Sequence, residues 1–272
     1  MPWSTLEQVR AEAPLVHNIT NYVVMNQTAN ALLAVGASPV MAHAFEEVEE
    51  MVGLARALVI NIGTLSPPWV EAMLRAGLAA KRRGIPIVLD PVGCGATTYR
   101  TATSAILLEQ LRPTIIRGNA SEVLALAGGA SLTKGVDSQH TTDSVAEAAS
   151  WLARANGCVV SVSGAVDLIV DRDAVIRVHN GHPIMSSVTG MGCTASALTG
   201  AFAAVSASPL QAAANAMAVM GVCGELAAAH SKGPGSFVPA FMDALWLLDA
   251  GTLAGAARVS PPSAVGDLPH GD

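Results

Sequence analysis

Short apolar runs alternate with longer segments of helical periodicity along the first two thirds of this chain. Residues 57–61 are almost wholly apolar and stop before Gly63, which predicts a buried strand. Pro67 and Pro68 suit the first turn of a helix, and the pattern extends that helix to Arg83. The same pattern predicts strands over 85–90, 114–117 and 158–162 and helices over 99–111, 120–127 and 141–156, with Asn119 capping the helix that starts at 120. Strands that are apolar throughout indicate a parallel sheet covered by helices on both faces, and hence an α/β fold.

Two segments depart from this alternation. Residues 168–178 read as a β-hairpin added at a sheet edge, and only helices are predicted from there to about Leu248. The chain shows no internal repeat and no linker, so we expect a single domain over residues 1–257. Residues 258–272 contain three prolines and two glycines, and we expect this tail to be disordered.

Composition limits the classes of function. The chain has 272 residues, 51% of them hydrophobic and 13% charged, with a net charge of -6. A negative chain is poorly suited to nucleic acid or an anionic membrane, so neither is an expected partner. The four cysteines, which lack metal-ligand spacing, are Cys94, Cys158, Cys193 and Cys223. With no signal peptide, we expect free thiols and a cytoplasmic protein.

The segment from Met185 to Glu225 contains no charge before its last residue and raises the question of a membrane span. It is rich in Ala, Gly, Ser and Thr and is interrupted by Pro209, Gln211 and Asn215, so it lacks the Leu, Ile and Phe density that drives insertion. Two closely packed internal helices explain the segment better.

A glycine-rich turn, Gly190-Met191-Gly192-Cys193, opens this apolar half. Its glycines let the backbone approach a ligand, and the unpaired amides of the following helix form an anion site suited to phosphate. The turn is neither a Walker loop nor a complete dinucleotide fingerprint. A tight structural turn with a buried cysteine remains an alternative.

Polar residues cluster where the predicted parallel strands end, which is where ligands bind in open α/β sheets. They are Asp90, Arg117, Glu122 and Ser163, each near the end of a strand. Carboxylates beside a phosphate predict Mg²⁺ held through water and phosphate oxygens, and an arginine there can bind phosphate. Structural roles also exist: Asp90 as a loop cap, Glu122 as a first-turn acid and Ser163 as a turn residue. Arg117 is harder to explain structurally, because burying an unpaired guanidinium is costly.

Five segments together resemble the hydroxyethylthiazole kinase family, in chain order over nearly the whole sequence from Val16 to Leu248. They are His17-Asn18-Ile19-Thr20-Asn21-Tyr22-Val23-Val24-Met25-Asn26, Gly36-Ala37-Ser38-Pro39-Val40-Met41-Ala42, Leu89-Asp90-Pro91-Val92-Gly93, Arg117-Gly118-Asn119-Ala120-Ser121-Glu122 and Val188-Thr189-Gly190-Met191-Gly192-Cys193. The resemblance implies a ribokinase-like α/β fold and ATP-dependent phosphorylation of 4-methyl-5-(2-hydroxyethyl)thiazole in thiamine salvage.

The resemblance also implies roles for particular residues. Those matching thiazole-contacting positions are Met41 and Gly190, with Asn21, Val23 and Gly63 expected near the same pocket. Those matching ATP-contacting positions are Arg117 and Ser163, and those matching the Mg²⁺ and phosphate acids are Asp90 and Glu122. Cys193 stands where ribokinase-like sugar kinases carry an aspartate base, and we expect a thiolate there to act as a weak base.

This sequence departs from the family pattern at two positions, 163 and 191. Ser163 stands where threonine is common, which keeps the hydroxyl, and Met191 is bulkier than the usual residue between the two glycines. The resemblance further implies a homotrimer. In that assembly the segment from Asn21 to Met41 would wall a neighbour's thiazole pocket, and the apolar composition is consistent with a buried interface.

Three alternatives remain open. One is a related ribokinase-like kinase acting on another hydroxymethyl heterocycle, and another is an ADP/ATP-dependent repair dehydratase of the same superfamily. The N-terminal Asn-Ile-Thr-Asn and Ser-Pro-Val-Met segments argue against both. The third is a non-catalytic small-molecule binding protein, which the intact acids and arginine disfavour.

Overall fold

A single nine-stranded sheet runs through the part of the chain that the structure, a computed structural model, describes: residues 2–128 and 142–265. Its strands are β1 (Leu15–Ile19), β2 (Ser38–Val40), β3 (Ala57–Asn61), β4 (Ile87–Asp90), β5 (Ile115–Asn119), β6 (Val159–Ser163), β7 (Asp167–Val170), β8 (Ala174–Val178) and β9 (Ser263–Ala264). The spatial order is β2-β1-β3-β4-β5-β6-β7-β8-β9. The first six strands are parallel, and β7 to β9 extend the sheet in antiparallel pairing.

Helices cover both faces of this sheet, as predicted. They are α1 (Pro2–Glu12), α2 (Met25–Val35), α3 (Val48–Leu54), α4 (Pro67–Arg83), α5 (Thr98–Leu111), α6 (Ala120–Gly128), α7 (Thr142–Asn156), α8 (Met191–Val205), α9 (Pro209–His230), α10 (Pro234–Leu247) and α11 (Ala250–Ala256), with a short 3₁₀ helix at Pro183–Ser187. Side chains of one strand alternate between two cores: Val59 packs with α1, α2, α8, α9 and α10, whereas Leu58 and Ile60 pack with α3 to α7. Every residue of β3 is buried, which explains its continuous apolar run.

The predicted elements after residue 57 are confirmed. The bounds of β3 and α4 agree with the prediction, and those of β4 to β6 and α5 to α7 differ by one or two residues. The predicted hairpin is β7 and β8, and Asn119 caps α6 through its Oδ1, which accepts the Glu122 amide hydrogen at 2.9 Å. The pattern predicts no elements before residue 57, where the structure has α1, β1, α2, β2 and α3.

The predicted disorder of the tail is wrong for residues 258–265. The strand β9 pairs with β8, and Ser260 Oγ accepts the Arg177 amide hydrogen at 2.9 Å. Arg258 forms an ion pair with Glu225 at 2.6 Å and donates to the His179 carbonyl. These hydrogen bonds and the ion pair offset the conformational entropy lost when the segment is ordered. Composition alone does not reveal such contacts. The rest of the predicted tail, 266–272, lies outside the described residues.

The long apolar helix of the C-terminal half is α9. By length and composition α9 could cross a membrane, but 78% of its most apolar window is buried inside the fold. It packs in the core beside α8 and α10. The predicted pair of internal helices therefore accounts for the uncharged segment.

Replacing Arg258 by alanine is expected to lower the melting temperature by a few degrees, because Glu225 and the His179 carbonyl lose their shared donor. Arg172→Ala is the control, since the Arg172 side chain is exposed and its ion pair is with an equally exposed neighbour, Asp173. Melting is measured by circular dichroism. Equal melting temperatures for the two variants would show that the tail does not stabilise the fold.

Candidate active site

A cavity of about 650 Å³ lies at the carboxyl edge of the sheet, opposite the start of α8. Parallel strands bring their last residues to one edge, and α8 brings its first turn to the same place. The predicted site residues that line this cavity are Asp90, Arg117, Glu122, Ser163 and Cys193. The structure thus brings together the residues predicted for nucleotide, metal and catalysis.

Asp90 is a buried carboxylate, with 1% of its surface exposed. Its Oδ2 accepts hydrogen bonds from Asn61 Nδ2 and Ser196 Oγ, both at 2.7 Å. Burial raises the pKa of Asp90 to about 6, although the positive charge of Arg117 and these two hydrogen bonds act in the opposite direction. Asp90 therefore binds side chains of β3 and α8, and the alternative of a simple loop cap does not describe it.

Arg117, on β5, is a buried cation with an unused donor. Its Nη2 donates to Ser163 Oγ at 2.7 Å, while its Nε is buried with no partner among the described residues. A Cβ at position 192 would lie 2.9 Å from Arg117 Nη1, so the glycine there leaves room for the guanidinium at the start of α8. A buried guanidinium is costly without opposite charge, and an anion in the cavity that this side chain lines would supply that charge.

Glu122 has the structural role that its position in the first turn suggested. Its Oε2 accepts the Asn119 amide hydrogen and Asn119 Oδ1 accepts that of Glu122, which together form a capping box at α6. Its Oε1 accepts the amide hydrogen of Gly93, at 2.8 Å, in the loop after β4. Glu122 also lines the cavity, so the structural role does not remove it from the site.

Cys193 lies half-buried in the first turn of α8, and its Sγ accepts a hydrogen bond from Asn21 Nδ2 at 3.4 Å. Burial, and next the nearby charge of Asp90, raise the pKa of the Cys193 thiol to about 11. The predicted thiolate is therefore wrong. Burial and the nearby Asp90 charge favour the neutral thiol at neutral pH, and they outweigh the helix N-terminus and the Asn21 hydrogen bond, which favour the thiolate. The residue is in the predicted place as a neutral thiol.

Two of the predicted substrate residues are glycines that let other parts of the chain come close. Gly190 has a φ of 85°, and a Cβ there would lie 2.8 Å from Val24 Cγ1. A Cβ at Gly63 would lie 2.5 Å from Asn21 Nδ2. Both glycines thus admit the segment after β1 to the cavity's edge.

Of the remaining predicted substrate residues, one contacts a residue that lines the cavity and two lie away from it. Asn21 contacts Cys193 of its own chain, so the expectation that it walls a neighbour's pocket is wrong for this residue. Val23 is 69% exposed, Met41 is half-buried, and neither is among the residues lining the cavity. Their contact with substrate stays a prediction.

Several residues of the site were missed from the sequence. Asn61 and Ser196 hold Asp90, and Asp167 lines the cavity with a pKa raised by burial to about 6. Asn61 ends β3, so the rule that located Asp90 at the end of β4 could have found it. Ser196 and Asp167 carry no comparable signal, because their approach depends on how α8 and β7 pack.

The donor set suits a cation bound mainly by water and phosphate. Among residues 2–128 and 142–265, no group of three or more His, Cys, Asp or Glu side chains could hold a metal ion. Asp90 and Glu122 nevertheless line one cavity together with a guanidinium that has a free donor. Two carboxylates fit Mg²⁺ that is carried with a polyphosphate, as this metal keeps several water ligands.

Comparison with known structures defines the class first. The pyridoxal kinase of Staphylococcus aureus in complex with AMP-PCP superposes with a TM-score of 0.61 at 17% identity, over 78% of this chain and 88% of that chain. The fold is therefore ribokinase-like α/β, as predicted.

The family follows from closer similarity. A model of the hydroxyethylthiazole kinase family matches residues 6–251. The hydroxyethylthiazole kinase of Syntrophus aciditrophicus is 58% identical over 258 residues, 94% of this chain and 96% of that protein. The structure of the hydroxyethylthiazole kinase protein from Pyrococcus horikoshii OT3 has a TM-score of 0.88 at 44% identity, over 95% of this chain and 98% of that chain. The chain belongs to the hydroxyethylthiazole kinase family, whose members are kinases that phosphorylate an alcohol, and the predicted resemblance is confirmed.

The raised pKa of Asp90 predicts a pH-dependent stability. This carboxyl has an ordinary pKa of 3.8 and a pKa of about 6 in the fold, so its stabilising contribution is complete below about pH 4 and is lost as pH rises through 6. Asp90→Asn, which resembles the neutral carboxyl, is expected to be more stable than the parent by about 3 kcal/mol at pH 8. The difference shrinks towards pH 4, and kcat falls about tenfold or more.

Thermal melts at pH 4.5 and pH 8 measure this difference, with Asp243→Asn on the exposed face of α10 as the control. Parallel pH profiles for the parent and Asp90→Asn would contradict the assigned burial cost.

Proposed function

We propose that this protein transfers the γ-phosphoryl group of ATP to the hydroxyl of 4-methyl-5-(2-hydroxyethyl)thiazole, as a cytoplasmic enzyme of thiamine salvage. The observation that carries the proposal is Arg117: its buried guanidinium lines the same cavity as two carboxylates and the first turn of α8. In a kinase, the anion that such a cation would bind is a phosphate of the nucleotide.

The nucleotide side of the site consists of Arg117, Ser163 and the start of α8. Ser163 Oγ accepts a hydrogen bond from Arg117 Nη2 at 2.7 Å and so holds one end of the guanidinium at the cavity. The free amides in the first turn of α8, next to Gly192, add donors and the positive end of the helix dipole. We therefore propose that these residues bind ATP and stabilise charge on the transferring group.

Asp90 and Glu122 would hold Mg²⁺ through water and phosphate oxygens. When bound, the ion would neutralise negative charge on the phosphates during transfer. Glu122 is fixed by two backbone amides and Asp90 by two side chains, so both carboxylates are already oriented. A preoriented pair loses little freedom when the metal–nucleotide complex arrives.

The alcohol side is formed by Cys193, with Asn21, Gly63 and Gly190 around it. A neutral Cys193 thiol orients the attacking hydroxyl more than it removes the proton. Phosphoryl transfer through a loose transition state needs little nucleophile activation before bond formation, so the hydroxyl proton leaves late and passes to an oxygen of the transferred phosphoryl group. Positioning of the two substrates and stabilisation of charge on the transferring group then supply most of the rate enhancement.

A coupled assay of ADP release tests the reaction directly. The thiazole alcohol with Mg²⁺-ATP should be turned over, whereas pyridoxal and hydroxymethylpyrimidine should react at least about tenfold more slowly in kcat/KM. Faster turnover of either competitor would replace the proposed substrate with another heterocyclic alcohol. Absence of ADP release with all three would favour a binding protein.

Substitution of Cys193 tests its role in the transfer step. Cys193→Ala should lower kcat about 100-fold and leave the KM for ATP nearly unchanged, since the thiol lies at the alcohol. Cys193→Asp should keep or raise activity, because a carboxylate is a better base at neutral pH than a thiol with a pKa of about 11. Cys158→Ala is the matched control, because Cys158 is buried in the core that α3 to α7 form and does not line the cavity. If Cys193→Ala kept the parent's turnover, the residue would have no part in catalysis.

We further propose a homotrimer in which Met41 and Val23 complete a neighbour's thiazole site. The exposed side chains of Tyr22 and Val23, 62% and 69% exposed beside Asn21, support this arrangement. Light scattering should give a trimer, and mixing Met41→Arg with Cys193→Ala should restore partial activity by combining intact halves. A stable monomer with full activity would exclude shared sites.

A further inference from the structure

A buried chain of amide groups connects Asp90 with Cys193. Asn61 ends β3 beside Asp90 in the strand register, and 1% of its surface is exposed. Its Nδ2 donates to Asp90 Oδ2 at 2.7 Å, and its Oδ1 accepts from Asn21 Nδ2 at 2.9 Å. The same Asn21 nitrogen donates to Cys193 Sγ at 3.4 Å. Two residues on either side of the proposed transfer point are thus joined by two asparagines.

The orientation of the Asn61 amide is fixed by its neighbours. The backbone N–H of Gly63 donates to Oδ1 at 2.9 Å, and a backbone amide can only donate. The oxygen of Asn61 must therefore face Gly63, and its NH₂ group must face the Asp90 carboxylate. A flipped amide would place its oxygen against that carboxylate and its NH₂ against a donor.

The orientation of Asn61 determines what Asn21 can do. The Asn21 amide nitrogen carries two hydrogens, one directed to Asn61 Oδ1 and the other to Cys193 Sγ. Without the acceptor on Asn61, nothing among these contacts would hold the Asn21 amide against the sulfur. The sulfur and the carboxylate would then lose their fixed separation.

We propose that Asn61 is a positioning residue for phosphoryl transfer, which holds the Asp90 carboxylate and, both directly and through Asn21, the Cys193 sulfur in register. It is not among the residues that line the cavity, so it acts on the reaction only through these partners. The inference rests on the proposed reaction and adds a residue to its machinery. Removing a partner that orients active groups typically costs about 10- to 100-fold in activity.

Kinetics of Asn61→Leu and Asn61→Ala test the proposal. The expected result is a fall in kcat of about 30-fold, with the KM values for ATP and the thiazole alcohol each within about threefold of the parent. The matched controls are Asn215→Leu and Asn215→Ala. Asn215 is a buried asparagine on α9 that donates to Thr5 Oγ1 at 2.9 Å, away from the cavity. These controls should lower the melting temperature and keep kcat within about twofold of the parent.

A double-mutant cycle with Asn21→Ala separates positioning from general damage to the fold. If Asn61 acts through Asn21, Asn61→Ala should reduce kcat clearly less in the Asn21→Ala background than in the parent. Full multiplication of the two losses would overturn the coupling. Circular dichroism melts accompany every variant, and the alanine change at Asn61, which leaves room for water, keeps the test open if the leucine variant does not fold.

The outcomes distinguish this inference from the proposed function. A parent enzyme that releases no ADP with the thiazole alcohol would overturn both. An active parent whose folded Asn61 variants keep kcat, or lose it only through higher KM values, would overturn the positioning role alone.

Discussion

The carboxylate of Asp90, buried where β4 ends, is the charge on which the arrangement of the site depends. A buried charge is tolerated only when donors and opposite charge surround it. Asn61 and Ser196 donate to it, and Arg117 lies close enough to favour its charged form, yet its pKa remains raised to about 6. The fold does not fully offset the cost of this residue. Such residual cost is typical of positions kept for chemistry and not for stability.

Three glycines leave room for other parts of the chain to come close to the start of α8. A side chain at Gly63 would collide with Asn21, one at Gly190 with Val24, and one at Gly192 with Arg117. The segment after β1 and the guanidinium from β5 therefore come together at the first turn of α8, because these three positions are glycines and have no side chain. The cavity combines a free donor for an anion, two oriented carboxylates and a thiol in one place. This combination suits transfer of a phosphoryl group between two bound molecules.

Much of the fold was predictable because β3 to β6 are buried on both faces and read as continuous apolar runs. The first two strands were not predictable. Polar His17 and Asn18 occupy fully buried positions of β1, and β2 has only three residues, one of them Pro39. Asp90, Arg117 and Glu122 were found by their places at strand ends. The protonated state of Cys193 was not, because it depends on burial and on the distance to Asp90, and its contact with Asn21 joins residues far apart in sequence.

The most direct test of the account is a crystal structure of the protein with Mg²⁺, a non-hydrolysable ATP analogue and the thiazole alcohol. We expect phosphate oxygens within hydrogen-bonding distance of the Arg117 guanidinium and of the first amides of α8, with the alcohol oxygen beside Cys193 Sγ. Mg²⁺ should lie between the phosphates and the carboxylates of Asp90 and Glu122. Phosphates bound elsewhere, with no contact to the Arg117 guanidinium, would contradict the assignment of this cavity as the site of transfer.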